Sequence, residues 1–391
     1  MAEKRITFYG VDNGQAVLVT LDDKTHVMFD IRQKTDDADE DDKTVDVQER
    51  LLKTLPTLEG SKRHHVSVFC LSHSHLDHCQ GVDRVFRLPV ISDQEDSDDL
   101  IQIDELWVTA AIFGDDVEGP AKLIKKEAKR RLALYADPAK SGKAEQPGNM
   151  LVVFGHNEKV ADLAKMPRFR RPGAGEIFKK ICGTDRSDWE TFVHCPFRYI
   201  TEGKAEDRND ASLIIQATMK EGEAKALLLL GGDAGCAIWR TVYNTSKQNR
   251  NIDRLDWDIF FVPHHGSCKF FTEKEHEEGR DEARDHPAKT SMGILDRGRP
   301  MGWLVCSSRP VREKNYEDED PPHTEATGHY KKKAKDLGDE SRFVCLMQYP
   351  TESEPDPLVL RLTSNGLQAK HLAAPAIITG SQAAGSPKHW G

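Results

Sequence analysis

The sequence predicts an α/β protein built from two sheets covered by helices, and three observations carry that reading. Short apolar runs with strand character recur in both halves of the chain, segments of helical spacing separate them, and several runs end directly in His- or Asp-bearing loops. Arg5 to Tyr9, Ala16 to Leu21 and His26 to Asp30 read as strands, Val47 to Leu55 as a helix and Val66 to Leu71 as a strand, an opening βββαβ order. Leu106 to Ala110 and Leu151 to Phe154 are further strands, and Lys122 to Tyr135 between them is a helix by the spacing of Leu123, Ile124, Leu132 and Leu134. The second half adds Ser212 to Ala217, Ala226 to Leu230, Ile259 to Val262, Gly302 to Cys306 and Phe343 to Gln348. Ala139 to Asn149 and Arg168 to Glu176 read as exposed loops.

The 391 residues exceed twice the roughly 150 of a typical domain, so a large core is affordable. A mean hydropathy of -0.61 with 31% charged residues excludes collagen-like, coiled-coil and membrane-spanning classes. The longest strongly apolar run, Ala226 to Leu230, falls far short of a bilayer span, and MAEKRITFYG lacks a secretory apolar segment, so a cytoplasmic protein is expected. The eight cysteines form no C-x-x-C pair and read as reduced, buried small hydrophobes.

Charge is segregated. Asp36 to Asp42 and the stretch from Asp93 to Glu105 are acidic and read as solvated. From Ala121 to Ile181, fifteen Lys or Arg stand against six Asp or Glu, although the whole chain carries a net charge of -10. The expected organisation is one domain over residues 1–371 with a basic insertion at about 115–190, followed by a flexible tail at 372–391.

The most informative segment is Leu71-Ser-His-Ser-His-Leu-Asp-His78, directly after an apolar strand. Histidines at i and i+2 on a strand-exit loop point to one side, and Asp77 and His78 follow within reach of a second position. Imidazole and carboxylate are the ligand types that suit divalent zinc. Asp233 follows Ala226-Leu-Leu-Leu-Leu-Gly-Gly, and His264-His265-Gly-Ser267 follows Ile259-Phe-Phe-Val-Pro. Three strand ends therefore converge on one set of ligand types, at the sheet edge where α/β sites are generally built.

With these pieces in place, the chain resembles the metallo-β-lactamase-fold hydrolases, and within them the ComEC-like metallohydrolase domain of DNA-uptake channels and its stand-alone relatives. The matching pieces run in family order: FYGVDNGQAVLV, VMFD, LSHSHLDHCQGV, RNDASLII, ALLLLGGDA and DIFFVPHHGS. The resemblance implies a four-layer αββα sandwich and two divalent metal ions, Zn or Mn. His73 and His75 would hold one, Asp77 and His78 the other; Asp233 would bridge, and His264 or His265 would complete the second site. Asp30 matches a family Asp that supports the ligand loop. Where many members carry a third histidine, this chain has Arg208 to Ser212, so Asp210 or Asn209, or His194 nearby, is the candidate third ligand of the first metal.

The implied function is a metal-dependent phosphodiesterase or nuclease using a hydroxide shared by the two metals, with nucleic acid or another phosphodiester as partner. Asp77 and His323 are the catalytic candidates, with His323 or His329 as proton donor to the leaving oxygen. Ser267 and Lys269 would steady a phosphate, and Lys125, Lys126, Arg130 and Arg131 would guide a polyanion; the rival for these four is pairing with the acidic stretch, internally or across a homodimer. Ser74 and Cys79 read as bystanders. The alternatives are a small-molecule metallohydrolase acting on a lactone, thioester or amide, and a non-catalytic partner-binding module. No membrane partner is expected.

Overall fold

Alternation of apolar side chains decides which face of each strand is buried, and here both faces of most strands are apolar. A computed structural model describes residues 3–33, 42–92, 94, 97–115, 117–198, 200 and 208–370. The first half contains β1 (Arg5–Phe8), β2 (Val17–Thr20), β3 (His26–Phe29), α1 (Val47–Thr54), β4 (His65–Leu71), β5 (Phe86–Arg87), β6 (Ile101–Thr109), α2 (Ala121–Ala136) and β7 (Met150–Phe154). Next come β8 (Ile177–Phe178), β9 (Trp189–Cys195), β10 (Ile214–Glu221), β11 (Ala224–Leu230), α3 (Cys236–Gln248) and β12 (Trp257–Phe261). The chain closes with α4 (His276–Asp285), α5 (Lys289–Leu295), β13 (Gly298–Cys306), α6 (Thr324–Asp336), β14 (Phe343–Cys345), β15 (Leu358–Thr363) and β16 (Gly366–Ala369).

Among the described residues, one sheet of nine strands runs β16-β15-β1-β2-β3-β4-β6-β5, with β7 also paired to β6, and a second of seven runs from β8 to β14 in order. Strands β3, β4, β6 and β7 are mutually parallel, as are β11 to β14. Phe8, Val19, Phe29, Val68 and Trp107 of the first sheet meet Ile215, Leu228, Ile259 and Val305 of the second in one apolar layer. On the outer face of the first sheet, Leu18, Met28 and Phe69 pack with Leu51 of α1 and with Ile124, Ala128 and Leu132 of α2. On the outer face of the second, Leu229, Phe260 and Leu304 pack with Trp239 of α3, Ile294 of α5 and Tyr330 of α6. The result is the four-layer αββα sandwich, with helices only on the outside.

Several expectations need correction. The segment expected as a basic insertion supplies α2 to an outer layer and β7 to the first sheet, so it is built into the sandwich. Of its cations, Arg131 is 1% exposed; its guanidinium donates to Glu127 and to the carbonyls of Ile103 (2.9 Å) and Met150 (2.8 Å), tying α2 to β6 and β7. Arg130 pairs with Glu127 and Asn149, and the Lys125 ammonium donates to the Gly114 carbonyl. Only Lys126 of the four stands exposed, Lys125 and Arg130 being half-buried, and Arg131 is a structural cation. The acidic stretch is likewise not uniformly solvated, because Asp104 and Glu105 lie on β6: Asp104 pairs with His65 at 2.6 Å and Glu105 with the buried Arg170 at 2.5 Å. Asp93, Glu95, Asp96, most of Asp36 to Asp42 and the tail at 372–391 lie outside the described residues. Strand β14 ends at Cys345, where Leu346–Gln348 turns into a short 3-10 segment. All eight cysteines are free, and seven are buried. No helix among the described residues is long and apolar enough to cross a membrane.

Because Arg131 leaves Glu127 and three backbone carbonyls behind when truncated, Arg131→Ala is expected to cost about 3–5 kcal/mol, whereas the exposed Lys126→Ala stays within about 0.5 kcal/mol. Urea denaturation of the two variants checks this; equal midpoints would contradict the structural role.

Candidate metal centre

Parallel pairing of β3 with β4 brings the strand ends of Asp30 and Ser72 side by side. Asp30 is fully buried and sits at φ 55°, a left-handed conformation that a non-glycine residue adopts only when its surroundings hold it there. Its Oδ1 accepts from the Ser72 amide at 2.6 Å, and its Oδ2 accepts from Ser72 Oγ at 2.6 Å and from His78 Nδ1 at 2.8 Å. Ser72 Oγ in turn accepts from His73 Nδ1 at 3.1 Å. With both Nδ1 atoms committed as donors, the Nε2 atoms of His73 and His78 carry lone pairs, and both are buried without a hydrogen-bond partner.

The second sheet supplies the other side. Strand β11 runs into Gly231-Gly232-Asp233, and Gly232 must be glycine: at φ 49° an added Cβ would lie 3.1 Å from Ser212 Oγ and 3.2 Å from Ser72 Oγ. Strand β12 runs into Pro263–Gly266, where His264 (φ 49°) and His265 (φ 54°) are both left-handed. This turn swings His265 inward. Its Nδ1 donates to the Ser307 carbonyl at 2.8 Å, leaving Nε2 2.9 Å from Asp77 Oδ2 and 3.4 Å from Asp233 Oδ2. His78 Nε2 lies 3.2 Å from Asp233 Oδ1 and His73 Nε2 3.9 Å from Asp233 Oδ2.

Two ligand sets result, Asp77-His78-Asp233-His265 and His73-His75-Asp233, each with its ligand atoms within 4.8 Å of one another. Asp233 is common to both. The field they create is unbalanced. Although burial opposes a charge on His265, Asp233 and Asp77 push its pKa up to about 10, and burial of His78 is likewise outweighed by Asp233, Asp77 and Asp30. Burial pushes the Asp77 and Asp233 carboxyls upward, yet the facing imidazoles hold both below the usual carboxylate range. Buried carboxylates facing imidazoles whose Nε2 atoms have no hydrogen-bond partner make a set of donors suited to a cation. The donors fit divalent metal.

The other candidates fall elsewhere. Asp210, on the turn Arg208–Ala211, belongs to neither ligand set; its segment instead docks on the ligand loop, where the Leu213 amide donates to the Ser72 carbonyl at 2.9 Å. His194 Nε2 donates to the Arg254 carbonyl at 2.9 Å, and burial pushes its pKa down to about 4. His264 lies outside both ligand sets and lines a cleft of about 320 Å³ together with Ser267, Lys269, Arg280 and His323. His323 Nδ1 accepts from the Cys268 amide at 3.0 Å and Nε2 donates to the Glu319 carbonyl at 3.0 Å, so both ring nitrogens hold loops, and His329 donates to the Ala283 carbonyl. Burial pushes the Cys79 thiol up to about 12, which leaves it a poor nucleophile. Sequence reasoning missed Arg280, which HEEGRDEARD does nothing to single out, and the Ser307 carbonyl, which no residue type announces.

No family model and no curated protein matches the chain. Among solved structures it is similar to an isothiocyanate hydrolase from Delia radicum gut bacteria, at 10% identity over 90% of this chain and 98% of that one, with a TM-score of 0.40. It is also similar to the metallo-β-lactamase GOB-18 from Elizabethkingia meningoseptica, at 12% identity, 72% and 82% coverage and a TM-score of 0.28. A third is Zn²⁺-bound PqqB from Methylobacterium extorquens, at 11% identity, 63% and 58% coverage and a TM-score of 0.25. The observed layer order, with ligand-bearing loops from both sheets meeting at one rim, is the four-layer arrangement expected from the sequence. The narrower likeness to ComEC-like domains rests on the sequence pieces alone.

Asp30→Asn keeps the shape of the loop but removes the charge that orients His78 and Ser72. It is expected to weaken Zn²⁺ binding by about 10- to 100-fold, read by competition with a chromogenic chelator. Unchanged affinity would contradict the orienting role.

Proposed function

We propose that the chain is a metal-dependent hydrolase in which His73, His75 and Asp233 hold one divalent cation and Asp77, His78, Asp233 and His265 hold a second. The observation that carries the reading is the pair of ligand sets joined through Asp233. Four imidazoles among six donors favour Zn²⁺ over Mn²⁺. Cations so held supply Lewis acidity toward the scissile bond and acidify water. The chain's own groups do the rest. Asp30 and the Ser307 carbonyl fix the tautomers of His78 and His265 through their Nδ1 protons. In the cleft beside His264, whose lining also carries Glu275, Asp318, Glu319 and Asp320 and where Lys269 pairs with Glu275, Arg280 offers positive charge to an anionic substrate group, and Leu76, 56% exposed between His75 and Asp77, forms an apolar lip.

The favoured substrate is a small phosphodiester. Arg280 makes no ion pair among the described residues, so it is free to meet a phosphoryl oxygen, and a cleft of about 320 Å³ takes a small molecule more readily than a polymer. The same size keeps a lactone or thioester in view as the second reading. A nuclease reading loses the basic guide on which it leaned, since Arg130, Arg131 and Lys125 are spent internally.

A panel of bis(p-nitrophenyl) phosphate, DNA, RNA, a lactone and a thioester, assayed with and without chelator, tests the reading. Phosphodiester turnover that stops on chelation and returns with Zn²⁺ or Mn²⁺ is expected. Asp233→Ala abolishes it with the circular dichroism unchanged, and Arg280→Ala raises KM about tenfold, ~1.4 kcal/mol, with kcat nearly kept. Turnover of the lactone or thioester alone would transfer the proposal to the second reading, and full activity in Asp233→Ala would end both.

A further inference from the structure

The outer face of the first sheet changes character where β1 pairs with β15. Elsewhere this face sends Tyr9, Leu18, Met28 and Phe69 into the helix-covered core. Side chains two residues apart share a face of a strand, so Arg5 and Thr7 lie on the face of Tyr9, and Arg361 and Val359 stand opposite Arg5 and Thr7 across the ladder. Two arginines are therefore direct cross-strand neighbours, a pairing of like charges that destabilises a sheet. Arg50 from α1 and Lys370, just beyond β16, line the same groove of about 310 Å³, with Asp356 as its carboxylate.

Local carboxylates do not neutralise this groove. Arg50 pairs with Asp356 at 2.8 Å and Arg361 with Glu3 at 2.9 Å, but Arg361 Nε is buried without a partner. Arg5 and Lys370 make no ion pair among the described residues. Inward from Arg5 the row continues through Thr20 to His26, both buried, with Thr20 Oγ1 and His26 Nδ1 unpartnered. Burial and the Arg5 charge push the His26 pKa down to about 4, so it adds no compensating charge of either sign. Residues 371–391 contain no Asp or Glu, so the segment following Lys370 supplies no side-chain carboxylate.

The groove is separate from the metal centre. Strand β1 is antiparallel to β2, and β2 to β3, so β1 runs with β3; the ligand loops follow the far ends of β3 and β4, whereas Arg5 opens β1. It shares no residue with the cleft beside His264.

We infer that this groove binds the phosphate groups of a small ligand of diphosphate size, held between Arg5 and Arg361 with Arg50 and Lys370 closing around it. The planar guanidinium fork matches phosphate oxygens two at a time, and a multiply charged anion relieves the repulsion between the two facing arginines. This goes beyond the proposed hydrolase and does not depend on it.

The test is calorimetry and thermal shift on the metal-loaded full chain at low ionic strength, with inorganic phosphate, pyrophosphate and ADP as probes. Pyrophosphate is expected to bind one per chain and to raise the Tm. Binding persists in Asp233→Ala, which separates it from phosphate at the metal centre, and falls at least tenfold in Arg5→Gln and Arg361→Gln, whose ligand-free Tm equals or exceeds that of the parent. ADP binding no tighter than pyrophosphate assigns the site to the free diphosphate group, and tighter binding assigns it to a nucleotide. Should either arginine variant fail to fold, Lys370→Gln carries the test, with a several-fold loss expected. Absence of saturable binding to the parent, or affinity unchanged in the groove variants, or loss of binding in Asp233→Ala, overturns the inference.

Discussion

The buried carboxylate of Asp30 is the constraint on which the rim of the sandwich depends. It closes the gap between two parallel strand ends by accepting from the backbone and the hydroxyl of Ser72, and it aims His78 and, through Ser72, His73. A charge with no exposed surface is tolerable only when every lone pair is engaged. Burial pushes the Asp30 carboxyl up from its ordinary value, against the opposing pull of His78 and of both Ser72 donors. Three left-handed non-glycine residues lie at this rim, Asp30, His264 and His265, all with φ between 49° and 55°. The apolar layers behind them supply the rigidity that holds these conformations.

Positive charge in this chain is used in three different ways, and sequence composition alone merges them. Arg131 and Arg170 sit in the interior and hold helix, loop and strand together through carboxylates and carbonyls. Lys126 and its exposed neighbours keep α2 solvated on its outer side. Arg5 and Arg361 share neither fate, since they face one another on a sheet surface with too little negative charge around them. A count of lysines and arginines along a segment therefore says little about where an anion would go, and burial with partner identity says much more.

How much of this was legible beforehand follows from which signals are local. The opening strands, α1, α2 and the ligand-bearing strand ends could be read because apolar spacing and the clustered LSHSHLDH, GGD and PHHG pieces are local patterns. Strand β9 is not legible locally: WETFVHC mixes Glu190, Thr191 and His194 with apolar residues, and all three are buried, Glu190 and His194 against Arg254, which is distant in sequence. Strand β6 was anticipated only from Leu106 onward, because its first half alternates Ile101 and Ile103 with Gln102 and Asp104. Between His264 and His265 the sequence left the ligand open; two successive left-handed residues turn their rings apart, a backbone property with no residue signature beyond the following Gly266.

The candidate centre is also divided between the two sheets. His73, His75, Asp77 and His78 come from the loop after β4, whereas Asp233 and His265 come from the ends of β11 and β12. The contact between Asp77 and His265 joins positions 188 residues apart, while that between Asp30 and His78 spans 48. Non-local contacts of this kind form only after a large entropy of loop closure has been overcome. The short-range half of the centre can therefore take shape with the first sheet, but the complete ligand set exists only once the sheets have closed on each other. Cation affinity thus reports on assembly of the whole sandwich, and a truncated chain ending before His265 would keep the histidine loop while losing the partner that completes it.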